Sequence, residues 1–469
     1  MIRLAVENTF TKAISPVTEE HDAVDDCLRF AVPNAHIIKR KMGPRGRHWD
    51  GTKGFYDRRN CVFLTGLLGK VIMYLKSLGV AFEIMDKRTD PTGGTYAISN
   101  TLNGITLYDF QYRTVQEVIK AGRGVVQLPT GAGKTEIAIA VTKALSVPTL
   151  FLTHRVNLLY QTARRYAARN PEIKEKIGII GDGNYSPNFI TLATVQTIWS
   201  ALKRYPAEMV GTLKGFQMLI IDEAHRAGAK QFYKPAMLCS NAFYRLGLTA
   251  TPFMGGNTEN DLYLMGVTGP VASRVAPGEL IERGILAKPF FKFFTISGPR
   301  LDALRDWRDI YELGIIHHEE RNRIIATQAA QLAARGKKTL IIVNEVAHGK
   351  ILTDLCEKKG ISVRYQDGRH SYSEREAALK WLSKTGDAII ATNIFDEGID
   401  VKNINAVILA AGTKSAPALF QRTGRATRRK EVDNYAIIID FIDRQHPKLA
   451  QHSIRRYNLI KGEKGFTIL

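Results

Sequence analysis

The chain is 469 residues long, so two or three domains are expected, and its 45% apolar content fits proper hydrophobic cores. Its 66 Lys and Arg against 45 Asp and Glu leave a formal charge of +21, more than solubility needs. That points to a polyanionic partner, nucleic acid before an anionic membrane surface, while Cys27, Cys61, Cys239 and Cys356 are too scattered for a zinc ribbon or a disulfide framework.

In chain order, the opening MIRLAVENTF has no long apolar core and no cleavage-site pattern. No later stretch approaches the roughly 18 uncharged apolar residues of a membrane span. A cytoplasmic protein with no membrane partner is expected. Residues 1–100 show little periodicity and read as a small basic α+β domain. Within them, Lys39, Arg40, Lys41, Arg45, Arg47, Lys53, Arg58 and Arg59 can neutralise phosphates. Trp49, Phe55 and Tyr56 lie among these cations. The run WDGTKG suggests a β-hairpin, with the aromatics packed beneath it or turned outward to stack on a base.

From Gly124 to Thr251 short apolar runs (GVVQL, TLFLT, FITLATV, MLIID, LGLTA) alternate with helix-period segments. The alternation recurs from Lys337 in KTLIIV, ISVRY, DAIIAT, NAVILA and NYAIIID. Each half reads as a parallel sheet covered by helices. A mixed region, roughly 253–320, joins them, and a basic helix and tail end the chain.

Three motifs carry chemistry. LPTGAGKT (128–135) is a tight glycine turn between a strand and a helix. Such a turn aims backbone N–H groups at a phosphate chain. Lys134 would reach the β- and γ-phosphates, and Thr135 would take one position on Mg²⁺. Leu128 stands where the strict motif has glycine. MLIIDEAH (218–225) ends a buried strand in two carboxylates. Asp222 would hold Mg²⁺, Glu223 would deprotonate the attacking water, and His225 could sense the γ-phosphate. QRTGRATR (421–428) spaces Arg422, Arg425 and Arg428 by three, on one face of a helix. Guanidinium groups there suit the charge of a transferring phosphoryl group.

PTGAGKT, DEAH, LTATP (248–252), ATNIFDEGID (391–400) and QRTGRATR occur in the order and spacing of superfamily 2 helicases, and the resemblance covers roughly residues 105–445. It implies two tandem RecA-like α/β domains with parallel sheets, and ATP with Mg²⁺ in the cleft between them. The domains would run 101–286 (ATP-binding) and 287–445, after the N-terminal domain 1–100 and before the tail 446–469. Gln111 would read adenine, and Thr130, Gly131, Ala132, Gly133, Lys134 and Thr135 would wrap the phosphates. Gly398 and Asp400 would reach the nucleotide from the second domain. Gln421, Arg425 and Arg428 would approach the γ-phosphate, with Arg428 as the finger. Thr249 and Thr251 resemble the motif that couples hydrolysis to movement. Thr153, His154, Arg155, Thr194, Gln196 and Thr392 fall where such helicases grip a nucleic-acid backbone. The N-terminal RGRHWDGTKGFYDRR, with Arg45, Arg47 and Trp49, and the C-terminal QHSIRRYNLIKGEKGF resemble phage recombination helicases of the UvsW type. That likeness implies work on branched, single-stranded or duplex DNA beside replication or recombination proteins, and a monomer is expected; an RNA helicase acting on structured RNA and the duplex-DNA motor of a restriction system are the alternative readings.

Overall fold

The structure is a computed structural model that describes the chain apart from residues 44–47, 254–257, 393–403, 413–418, 420–422, 425 and 431–432 and the side chain of residue 372. It divides into two compact units. One holds Met1–Gln127 and Lys134–Arg274, the other Leu128–Gly133 and Val275–Leu469.

The first unit contains two sheets. The larger runs in the order Asn184–Ser186, Ile177–Gly181, Ile190–Thr194, Thr149–Thr153, Met218–Asp222, Tyr244–Thr249, Arg123–Gln127, Val271–Arg274. Its neighbours are parallel except for the edge pair Ile177–Gly181 with Asn184–Ser186. Thr149–Thr153, Ile190–Thr194 and Tyr244–Thr249 are buried throughout, as expected for strands covered on both faces. Val271–Arg274 lies in the region read as a mixed connection, yet it closes this sheet beside Arg123–Gln127.

The smaller sheet belongs to the N-terminal residues, in the order Tyr56–Asp57, Val62–Leu64, Phe10–Ile14, Ile2–Val6, Phe82–Asp86. Helices Thr18–Leu28 and Leu68–Ser77 supply Val24, Leu28, Val71 and Leu75 to its core. Leu262, from helix Thr258–Thr268, enters the same core.

The second unit is built on a parallel sheet in the order Val363–Gln366, Ala388–Ala391, Thr339–Ile342, Ala406–Leu409, Tyr435–Asp443, Lys288–Ile296, Thr467–Ile468. Lys288–Ile296 pairs along its full length with Tyr435–Asp443, although the sequence placed it in the connecting region. The C-terminal segment forms helix Pro447–Lys461, whose buried Arg456 binds Asp440 at 2.8 Å, and then the edge strand Thr467–Ile468. Among the described residues no helix is long and apolar enough to cross a membrane, and no cluster of three metal-ligating side chains occurs.

Candidate nucleotide and nucleic-acid sites

Parallel strands deliver their carboxyl ends to one edge of a sheet, so the residues that follow them meet there. Strand Arg123–Gln127 is followed by the loop, and helix Lys134–Leu145 starts at the lysine itself. Gly131 (φ +88°) and Gly133 (φ +81°) adopt left-handed backbone that a side chain would strain. Leu128 is fully buried, so the residue that departs from the strict motif serves as core. Ala132 is buried as well, while Thr130, Lys134 and Thr135 are half-buried. The first-turn N–H groups of a helix lack intrahelical partners and carry its positive end, which suits a phosphate. Gln111, in the first turn of helix Asp109–Ala121, is buried, and its Oε1 accepts from the Tyr108 amide at 3.0 Å.

Two strands along, Met218–Asp222 ends beside Tyr244–Thr249, in the register Asp222↔Leu248. Asp222 Oδ1 accepts from the Glu223 amide at 3.0 Å. Glu223 itself has φ +50°, a costly setting for a residue with a side chain and one that concentrates at functional sites. His225 Nδ1 lies 3.3 Å from Glu223 Oε2 and 3.2 Å from Thr249 Oγ1. Thr249 Oγ1 in turn accepts from the Thr251 amide at 3.2 Å. One imidazole nitrogen thus sits between the carboxylate and the buried Thr249–Thr251 segment. The structure brings together Glu223 and His225 of one motif with Thr249 and Thr251 of another.

On the other side of Met218–Asp222 stand Thr149–Thr153 and Ile190–Thr194, paired in the register Thr153↔Thr194. Each ends at a helix start, with Arg155 before Val156–Arg169 and Thr194 before Val195–Arg204. Gln196 Nε2 donates to the His154 carbonyl at 2.9 Å, tying the two loops together. The threonines differ from the expected phosphate ligands. Thr153 and Thr194 are buried, and Thr194 Oγ1 is spent on Thr197 at 2.9 Å. In the second unit Thr392 is buried too, its amide bonded to the Gln366 carbonyl at 3.2 Å. Of these residues the side chains that reach the surface are those of His154 and Arg155, which are half-buried, and of Gln196, which is exposed.

Arg428 is not on the helical face that its spacing suggested. Helical backbone is present at Thr423, Gly424 and Ala426, but Arg428 forms an antiparallel bridge with Leu286, and the Thr427 carbonyl accepts from Ala287 N at 2.7 Å. Loop residues 128–133 cluster with this unit. A Cβ built on Gly424 would come within 2.6 Å of Thr130 Cβ, and one on Gly131 would lie 3.5 Å from Arg428 Cγ. Gly424 is therefore a close-approach glycine that local sequence reading missed. Gly398, Asp400, Gln421 and Arg425, with Arg45 and Arg47 of the N-terminal segment, lie outside the described residues.

The remaining N-terminal cations divide. Lys53 pairs with Glu259, and Arg58 pairs with Asp22 at 2.5 Å and Asp25 at 2.7 Å. The WDGTKG hairpin does not form, because Thr52–Gly54 pairs with Arg29–Ala31 instead. Phe55 packs edge-on against Tyr263 at 4.7 Å, and Tyr56 is buried with its hydroxyl 2.5 Å from His21 Nδ1. Trp49 is half-buried and its indole N–H donates to the Thr52 carbonyl at 2.6 Å. Phe55 and Tyr56 thus serve the fold, and Trp49 is tied to its own turn.

Two family models match the chain: the type III restriction enzyme res subunit over residues 96–254 and the helicase conserved C-terminal domain over residues 320–430. Together they span more than half of it. The chain is 28% identical over 373 residues to the DNA 3′-5′ translocase XPB2 of Sulfurisphaera tokodaii, covering 72% of this chain and 82% of that protein. It is 25% identical over 432 residues to the ATP-dependent DNA helicase uvsW of Enterobacteria phage T4, covering 86% and 84% respectively. A putative HsdR subunit of a type I restriction enzyme from Vibrio vulnificus shares the fold, with a TM-score of 0.57 at 19% identity over 76% of this chain and 67% of that one. With tandem RecA-like α/β domains and both helicase family models in place, the chain belongs to the superfamily 2 helicases and is an ATP-hydrolysing helicase.

Proposed function

We propose that the protein is an ATP-driven DNA helicase or translocase that acts, as a monomer, on branched DNA: forks, D-loops or Holliday junctions met in recombination, replication restart or repair. Lys134 would bind the β- and γ-phosphates and Gln111 the adenine. Thr135 and Asp222 offer the hard oxygen donors that Mg²⁺ takes, and Mg²⁺ would neutralise charge on the phosphates. Glu223 would take the proton of the attacking water. Arg428, with Gln421 and Arg425, would balance charge on the transferring group. The observation that carries the nucleic-acid half is the Gln196–His154 tie. It sets His154, Arg155 and Gln196 at two adjacent helix starts, on a chain of charge +21. Hydroxyl, amide and helix-start contacts position a backbone without reading its bases. The choice of branched DNA and of 3′→5′ tracking rests on similarity to the phage uvsW helicase and to the archaeal 3′-5′ translocase.

A second reading, a motor that tracks intact duplex, is favoured by the restriction-enzyme family model over residues 96–254. ATP turnover measured with single-stranded DNA, forks, four-way junctions, plain duplex and structured RNA separates the readings, with Lys134→Ala as the hydrolysis-dead control. Forks and junctions should stimulate most. Equal stimulation by plain duplex would favour the duplex motor, and preference for RNA would overturn both.

A further inference from the structure

We propose that helix Ala35–Lys41 and the following Met42 form a wedge for branched DNA, in which Ile37, Ile38 and Met42 press against an opened base step while Lys39, Arg40 and Lys41 hold the flanking phosphates. The inference rests on the branched-DNA reading above and names the surface that would meet the branch.

The excursion has a braced root. Arg29–Ala31 pairs antiparallel with Thr52–Gly54, Val32 N donates to the Gly51 carbonyl at 2.9 Å, and Trp49 is tied to Thr52. Asp25, with its side chain 3% exposed, binds Arg29 at 2.5 Å and Arg58 at 2.7 Å. Lys53 and Phe55 then seat this root on helix Thr258–Thr268 through Glu259 and Tyr263. A surface that is to push on DNA needs such a footing.

Beyond the root the chemistry changes. No described residue of 32–51 is buried, and helix Ala35–Lys41 buries none of its side chains. Ile37, Ile38 and Met42 are 47%, 39% and 43% exposed. Single exposed apolar residues are ordinary, but three within six residues mark a surface that meets something. Ile38 and Met42 stand four residues apart and share a helix face; Arg40 lies opposite it, and Ile37 lies on the flank beside Arg40 and Lys41, three and four residues on. The three consecutive cations select a polyanion. The apolar side chains select one with hydrophobic faces to offer, and an opened base step provides both. The rings expected to stack, Phe55 and Tyr56, are packed inside, so the apolar contact passes to these aliphatic side chains.

The test uses the full-length chain and a fork carrying 2-aminopurine at the branch. Binding of the wild type should raise 2-aminopurine fluorescence as the step opens. Ile37→Ser/Ile38→Ser/Met42→Ser should abolish most of that rise at saturating protein and slow fork unwinding about tenfold, with ATP turnover on single-stranded DNA unchanged. Lys39→Gln/Arg40→Gln/Lys41→Gln should keep the rise at saturation but flatten the slope of log K against log[salt] by about 2 to 3. All six positions are exposed, and thermal melting checks that both variants fold. A wild-type rise in the serine variant overturns the wedge. So does a serine variant whose only loss is binding to phosphatidylserine vesicles, since that assigns the patch to a membrane. If the wild type shows DNA-stimulated turnover but no 2-aminopurine rise, the wedge alone fails. If no DNA stimulates turnover, the broader reading fails.

Discussion

Glu223 shows how one residue position combines strain and chemistry. Its φ of +50° bends the chain immediately after a buried strand, and its carboxylate is held 3.3 Å from His225. A carboxylate and its amide have nearly the same shape, so Glu223→Gln should retain ATP affinity and lose about 10²- to 10⁴-fold in turnover as the base disappears. Nucleotide binding and steady-state hydrolysis, measured on the same preparation, check this; normal turnover would make the acidic pair structural. Arg428 is fixed differently, through its backbone bridge to Leu286. That bridge survives loss of the side chain, so Arg428→Ala should fold normally while turnover falls about 10³-fold. An unchanged rate would remove it from the reaction. The turn at 128–133 before helix Lys134–Leu145 and the place of Asp222 and Glu223 at a strand end were legible in the sequence because both are set locally, by residues adjacent in the chain. The bridge from Arg428 to Leu286 was not, because the partner lies far back in the chain and no local pattern marks it.

At the scale of elements, apolar runs between turn signals gave the central strands of both sheets correctly. The failures share a cause. Lys288–Ile296 and Val271–Arg274 follow no helix-strand alternation of their own, so their place depends on tertiary pairing with Tyr435–Asp443 and Arg123–Gln127. Thr52–Gly54 shows the same principle, since distant pairing with Arg29–Ala31 overrode a good local turn. Helix pairs carry their own vulnerability. His348, in helix Val346–Glu357, is buried against helix Glu319–Ala333, with Nε2 2.9 Å from Asn322 Oδ1. Asn322 donates its amide to the Ile316 carbonyl, so its oxygen accepts and the His348 Nε2 carries the proton. Burial, with repulsion from Arg321 and His317 added, pushes the imidazole down from 6.5 to about 3. The folded state therefore keeps His348 neutral where the unfolded chain protonates it. Stability is fully present above pH 6.5 and is lost as pH falls from there toward 3, by up to about 1.4 kcal/mol per pH unit. Denaturant unfolding between about pH 4.5 and 6.5, above the ordinary carboxylate range, should show this slope, and His348→Gln should flatten it. A slope that survives the substitution would place the titration elsewhere.

At the scale of the whole molecule, charge and shared packing decide behaviour. A charge of +21 implies that DNA affinity is largely electrostatic. If about six phosphates are neutralised, log K should fall with log[salt] at a slope of about −4 to −5, depending on strandedness. A slope near zero would remove the electrostatic case for nucleic acid.

The N-terminal residues are basic and carry their own sheet, which invites the expectation that they can be cut away. The packing argues otherwise. Leu262 of helix Thr258–Thr268 is 7% exposed and shares a core with Leu64, Phe63 and Val71. Gly66 approaches the same helix so closely that a Cβ there would lie 1.9 Å from the Met265 carbonyl, and a Cβ on Gly266 would lie 2.4 Å from Leu64. Buried Arg123 spends its guanidinium on the carbonyls of Thr268, Val267 and Asn8, the last at 3.1 Å. Tyr244 donates its hydroxyl to Asp90 at 2.8 Å. Removing residues 1–100 would expose Leu262, Tyr263 and Met265 and leave Arg123 one acceptor short. At about 1.5–3 kcal/mol for a large apolar side chain and about 1–3 for an unmet buried donor, the loss is on the order of 5 kcal/mol. That is comparable to the whole stability of many domains. A chain starting at residue 101 should therefore melt well below the full-length protein, with hydrogen exchange accelerated first in helix Thr258–Thr268. Because that helix lies beyond Thr249–Thr251 in the chain, DNA-stimulated turnover should fall in the truncated chain even where it remains folded. If it instead melts with the full-length protein and keeps normal exchange in that helix, the N-terminal sheet is an appendage and the shared core contributes nothing to the motor.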